Sequence, residues 1–133
     1  MTFRSRSRRQ KPYQIKKTTI RDDFIDKQIL AIHKAMAKKV LAKPELIEQV
    51  KATLEQKRED GRMGYGAYLT WFSLLDIAPN DPDAFYQGVI EYDKRMRKLR
   101  RNTPFVNILT EDERQKAIEL DATGSLDDYN FML

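Results

Sequence analysis

Three scarcities bound what this 133-residue chain can do. It has no cysteine, which excludes disulfides, thiol nucleophiles and thiolate metal sites and agrees with a reducing, cytoplasmic setting. It has a single histidine, His33, so a Cys–His pair is impossible and a Ser–His–Asp site would have to use that one imidazole. A metal site would lack the usual second histidine. Glycines number five, and Gly64-Tyr65-Gly66 is not a pattern that cradles phosphate. No apolar run approaches the roughly eighteen residues that a membrane-crossing helix needs, so a soluble chain without a membrane role is expected. The acidic clusters Asp22-Asp23-Asp26 and Glu111-Asp112-Glu113 fall at expected helix starts, where the dipole accounts for them, and neither resembles a calcium loop. No catalytic residue, metal or cofactor is expected, and the chain reads as a binding protein rather than an enzyme.

Positive charge is plentiful and unevenly placed. The net charge is +5, yet residues 1–17 carry +7 without one acid, whereas residues 110–133 set two bases against seven acids for −5. A second basic run, Lys94 to Arg101, lies far along the chain. Two such segments suit an acidic partner, and DNA or RNA is the commonest. The candidate nucleic-acid contacts are Arg4, Arg6, Arg8, Arg9, Lys11, Lys16 and Lys17, then Lys94, Arg95, Arg97, Lys98, Arg100 and Arg101. Tyr13, interleaved with the first set, is suited to stack on an unpaired base. Nothing in these segments reads base sequence, and the tight, proline-bound joint at Ala42-Lys43-Pro44 is not a helix-turn-helix turn. The first segment is Arg- and Ser-rich but has no amphipathic apolar face, and it is read as a working part of the protein rather than a targeting peptide.

Periodicity predicts an all-α fold: one domain of four or five helices at residues 19–120, a disordered basic arm at 1–18 and a mobile acidic tail at 121–133. From Phe24 to Leu41 the residues Ile25, Ile29, Ile32, Met36 and Val40 form one helical face, with Thr18 or Thr19 as cap and His33 at the border of that face. A second helix is expected from Pro44 through Leu46, Ile47, Val50 and Leu54 to a stop at Gly61. Tyr65, Tyr68, Phe72 and Leu75 predict a short, mostly buried helix around Trp71, ended before Pro79, and its aromatics read as core rather than as the lining of a pocket. Asn80 or Asp81 then caps one long helix whose stripe Phe85, Val89, Tyr92, Met96 and Leu99 faces inward and whose end is basic. The segment after Arg101 is expected to be extended, with Phe105, Val106, Ile108 and Leu109 against the helices. Thr110 and Glu113 have capping-box spacing for a last helix from about Glu111 to Leu120.

In the tail, Asp127 and Asp128 are interspersed with Leu126, Tyr129 and Phe131, a mixture suited to docking on a partner's basic or apolar groove or, equally simply, to folding back on the domain's own basic surface. The stretch that holds Arg97, Leu99, Arg100, Thr103, Pro104, Phe105, Leu109, Thr110, Glu113 and Arg114 resembles a segment of small helical bacterial proteins associated with toxin–antitoxin modules, in which R-x-L-R-x-x-[S/T]-P-F-x-x-x-L-[S/T]-x-x-E-R recurs. The likeness covers under a fifth of the chain. It implies an antitoxin-like protein that neutralises a toxin-like protein partner by direct contact, with a nucleic-acid-binding accessory protein as the alternative. No oligomeric state follows from any of these features.

Overall fold

The computed structural model describes the backbone of residues 12–122 and the side chains of residues 20–122. Within them the chain is all-α, and no strand occurs among the described residues: α1 (Pro12–Ala42), α2 (Glu45–Glu59), α3 (Tyr65–Ile77), α4 (Pro82–Ile90), α5 (Lys94–Arg100) and α6 (Glu111–Ala122). Arg4, Arg6, Arg8, Arg9 and Lys11 of the basic segment, and Leu126, Asp127, Asp128, Tyr129 and Phe131 of the acidic one, lie outside the described residues, as do the side chains of Tyr13, Lys16 and Lys17.

Helix α1 is the axis of the fold, 31 residues long, or about 46 Å at 1.5 Å per residue. It begins at Pro12 rather than at the expected cap Thr18 or Thr19, because proline is suited to a first position where the backbone N–H would be unpaired anyway. The consequence is that no acid falls in its first turn. Asp22, Asp23 and Asp26 stand well inside the helix, where the dipole does not account for them: Asp26 pairs with Arg101, Asp23 accepts from Tyr92 and pairs with Lys27, and Asp22 meets Arg101 through its backbone carbonyl. Against α1 pack α4, α5 and α6, while α3 bridges α2 and α4. The core is Val40, Val50, Leu54, Trp71, Leu75, Phe85 and Val89, all fully buried.

The expected turn chemistry holds at two joints. Gly61 takes the left-handed φ of 75°, and Arg62 N–H returns to Lys57 O at 2.9 Å, closing α2. Asp81 caps α4 through Ala84 N–H at 3.1 Å with Pro82 in the first turn. The capping box also forms, Thr110 Oγ1 accepting from Glu113 N–H at 3.1 Å and Glu113 Oε1 accepting from Thr110 N–H at 2.8 Å.

The long helix predicted from Pro82 to Arg101 is broken in two. Asp93 accepts from Met96 N–H at 2.7 Å and starts α5 as an N-cap, an alternative that aspartate offers the backbone wherever it competes with helix propagation. The break frees carbonyls at the end of α4, and Arg100 donates through Nη1 to Val89 O at 2.9 Å and to Glu91 O at 2.7 Å. Asp93→Ala is expected to cost about 1 kcal/mol in a thermal or urea unfolding experiment; an unchanged midpoint would show that α5 does not depend on this cap.

Two further expectations are corrected. Helix α3 is not mostly buried: Tyr68, Trp71 and Leu75 face inward at steps of three and four, while Tyr65, Leu69 and Phe72 are turned to solvent. In the linker Phe105 and Ile108 are buried, but Val106 is exposed.

Candidate functional site

The basic run 94–101 divides once it is folded. Arg100 is 2% exposed and is therefore withdrawn from the set of surface contacts, its guanidinium serving the end of α4. Arg101 is held by Asp26 Oδ1, at 2.8 Å from Nε and 2.7 Å from Nη2. Arg97 lies half-buried with its guanidinium 5.0 Å from the Tyr92 ring centroid, and the Tyr92 hydroxyl donates to Asp23 at 2.9 Å. That hydrogen bond holds the Asp23 carboxyl below the usual carboxylate range. Arg95 donates to Thr70 Oγ1 at 2.8 Å and to Gly66 O at 3.3 Å, pinning α5 to the start of α3. Lys94 and Lys98, one turn apart on α5, are exposed, and so are Arg95 and Arg101 in spite of their hydrogen bonds.

A second basic segment, Lys57, Arg58 and Arg62, absent from the candidates drawn from the sequence, is tied to the chain just past α5. Asn102 makes the connection: its Oδ1 accepts from Lys57 Nζ at 2.6 Å and its Nδ2 donates to Arg62 O at 2.8 Å. The signal available in the sequence was KRxxxR at 57–62, which reads as an ordinary cationic helix end until Asn102 ties it to α5. Lys57 is partly desolvated and feels the charge of Arg62, so its pKa is lowered. The Arg58 guanidinium sits 4.5 Å from the Tyr68 ring centroid and 5.2 Å from that of Tyr65, a cation–π geometry. Tyr65 remains 61% exposed. The acids nearby are already engaged in part: Glu55 accepts the Tyr68 hydroxyl and Asp60 pairs with Arg62 at 2.9 Å. The result is a surface of cations around an exposed aromatic ring.

On another side of the molecule, α1, the 101–110 linker and the start of α6 enclose an open groove of about 650 Å³. Ile32 and Met36 of α1 and Leu109 of the linker line it, together with His33, Arg100, Arg101 and Arg114. Among these His33 is 2% exposed. Its Nδ1 lies 2.8 Å from Ile29 O, and a carbonyl only accepts, so Nδ1 carries the proton. Nε2 is then the acceptor for the Thr103 hydroxyl at 2.9 Å, and Thr103 Oγ1 in turn accepts from Phe105 N–H at 3.1 Å. Burial, with the Arg100 charge adding to it, pushes the imidazole down to about 4. A neutral ring held this way is a structural joint between α1 and the linker, with Trp71 stacked 6.3 Å from it.

Among the described residues no group of three or more acidic or histidine side chains is placed to hold a metal ion, and no helix is long and apolar enough to cross a membrane. Compared with protein-family models, with curated proteins and with solved structures, the chain matches none.

Proposed function

We propose that the protein is a non-enzymatic binding protein that contacts nucleic-acid phosphates through Lys57, Arg58, Arg62, Lys94 and Lys98, with Tyr65 available to stack on an unpaired base. The basic residues between Arg4 and Lys17 supply a second contact. The observation that supports this reading is the Asn102 bridge, which ties the basic segment 57–62 to the residue just past the end of the basic helix α5, 45 residues from Lys57 in the chain. Contacts of this kind neutralise phosphates and release counterions, so they fix position without reading sequence. The test is fluorescence anisotropy with a labelled 20-mer duplex and its single strand across a salt series. Affinity is expected to fall steeply with salt. Lys94→Ala/Lys98→Ala should lower the log–log slope by about 1.8 on duplex, near 0.9 per lost contact, and deleting residues 1–11 should weaken binding further. Affinity indifferent to salt and to both changes would remove this reading.

A second reading is favoured by a separate observation. Ile20 and Phe24 on α1 are 65% and 63% exposed, one helical turn apart, and Leu69 and Phe72 on α3 are exposed as well. Apolar side chains turned to solvent at helical spacing are the kind of surface that a protein partner covers. Taken with the resemblance of residues 97–114, they support an antitoxin-like role in a bacterial cytoplasm, in which a toxin-like partner is neutralised in a stoichiometric complex that also draws on Leu126 to Phe131. Phe24→Asp is expected to disrupt such a complex while leaving the salt-dependent nucleic-acid affinity intact.

A further inference from the structure

The groove between α1, the linker and α6 holds a charge that the nucleic-acid reading does not use. Arg100 is buried; of its nitrogens only Nη1 is hydrogen-bonded, to the carbonyls of Val89 and Glu91, and its guanidinium lies 5.9 Å from the Tyr92 ring centroid. Its Nε and Nη2 find no acceptor among the described residues, and no carboxylate pairs with it there. A guanidinium stays protonated in a protein, so a full positive charge stands in the wall of a groove whose lining is about half apolar, with Ile32, Met36 and Leu109 among the apolar side chains. Its field reaches the groove, since it helps to keep His33 neutral. Arg101 and Arg114 add two more cations to the lining, against one acid, Glu111. Arg101 is engaged with Asp26, which leaves the exposed Arg114 as the cation with the greatest freedom to meet a ligand. An apolar cleft of a few hundred cubic ångströms with a small number of convergent polar groups is the usual form of a small-molecule site. A buried polar group without a partner calls for one.

We infer that this groove binds a carboxylate-headed amphipath, its head group drawn to Arg114 and Arg101 and its apolar chain laid along Ile32, Met36 and Leu109. The cationic lining disfavours a neutral or positively charged head, because the buried Arg100 charge gains nothing from the one and repels the other. The apolar wall requires a chain, since a small polar anion would leave it in water. Binding is expected to strengthen with chain length, up to about fourfold for each methylene buried.

The experiment is titration of the full chain with decanoate, kept below its micellisation range, followed by fluorescence of Trp71 and by calorimetry. Trp71 is the only tryptophan and stacks on His33, so it reports the groove. Saturable one-to-one binding is expected, with octanoate several-fold weaker and with decanol and decyltrimethylammonium at least tenfold weaker. Arg114→Glu, at an exposed position that the fold tolerates, should weaken decanoate at least fivefold, while Lys94→Ala/Lys98→Ala should leave it unchanged. Absence of saturable binding, equal binding of decanol, or a loss in the lysine variant without one in Arg114→Glu would overturn the proposal. None of these outcomes bears on phosphate binding, which is measured separately.

Discussion

Phe105→Ala is expected to lower the free energy of unfolding by about 3–5 kcal/mol, in urea denaturation followed by Trp71 fluorescence. Phe105 is 3% exposed and packs on three rings contributed by three helices: His33 of α1 at 5.9 Å, Trp71 of α3 at 5.7 Å and Phe85 of α4 at 6.3 Å between centroids. Removing it opens a cavity that all three rings border, and a close-packed interior relaxes only partly into such a gap. Against a typical total of about 5–15 kcal/mol the loss is a large fraction. Phe105→Leu should cost far less, about 1.5 kcal/mol or below, because most of the volume is kept. A loss under about 1.5 kcal/mol for the alanine variant would show that the linker does not depend on this residue.

Acid is expected to have the next largest effect, through His33. Its folded-state pKa, about 4, lies below the ordinary 6.5, so below pH 6.5 the unfolded chain takes up a proton that the folded one refuses. The stability conferred by the neutral ring is complete above pH 6.5 and is lost as pH falls through 6.5 towards 4, at up to about 1.4 kcal/mol per pH unit. The sum over that window is about 3 kcal/mol, from the depression to about 4. Below it both states are protonated and the His33 contribution to the slope ends. The carboxyls of Asp23 and Glu113 are also depressed, by Tyr92 and by Lys39 respectively, but their ordinary values are 3.8 and 4.5, so their acid loss falls lower. Measuring urea midpoints from pH 7 to 4 for the native chain and for His33→Gln separates the two. The variant, though weaker throughout, should lack the slope between pH 6.5 and 4.5, and a slope that persists unchanged would assign the acid sensitivity elsewhere.

Chain order and most helix boundaries were legible in the sequence because they rest on contacts three or four residues apart. Gly61 ends α2 by the left-handed turn that only a residue without Cβ adopts freely, and Thr110 with Glu113 starts α6 by a reciprocal pair of bonds. The same local logic, read less well, misplaced two elements. Asp93 is as good an N-cap as Asp81, yet the apolar stripe through Tyr92 outweighed it and hid the break between α4 and α5. Carboxylates near a helix start fit the dipole, so nothing local marks the pairing of Asp26 with Arg101 or of Asp23 with Tyr92.

The candidate surfaces were less legible still. Six bases between Lys94 and Arg101 look alike in sequence, but in the fold Arg95, Arg97, Arg100 and Arg101 are each engaged within the protein. Their partners range from Tyr92, five residues before Arg97, to Asp22, 79 residues before Arg101, and nothing in spacing marks them. Lys94 and Lys98 stay exposed, and Asn102 ties the segment 57–62 to the end of α5.

The sequence by itself determined an all-helical chain, its order of elements, the absence of thiol chemistry and the polarity of charge from one end to the other, since each of these depends on composition or on neighbours within a helical turn. Only the tertiary structure decided which charges face solvent, that His33 is neutral and that Arg100 keeps two nitrogens without an acceptor in the wall of a groove. Desolvation and pairing depend on what the rest of the chain brings within a few ångströms, as Thr103 is brought to His33 across seventy residues.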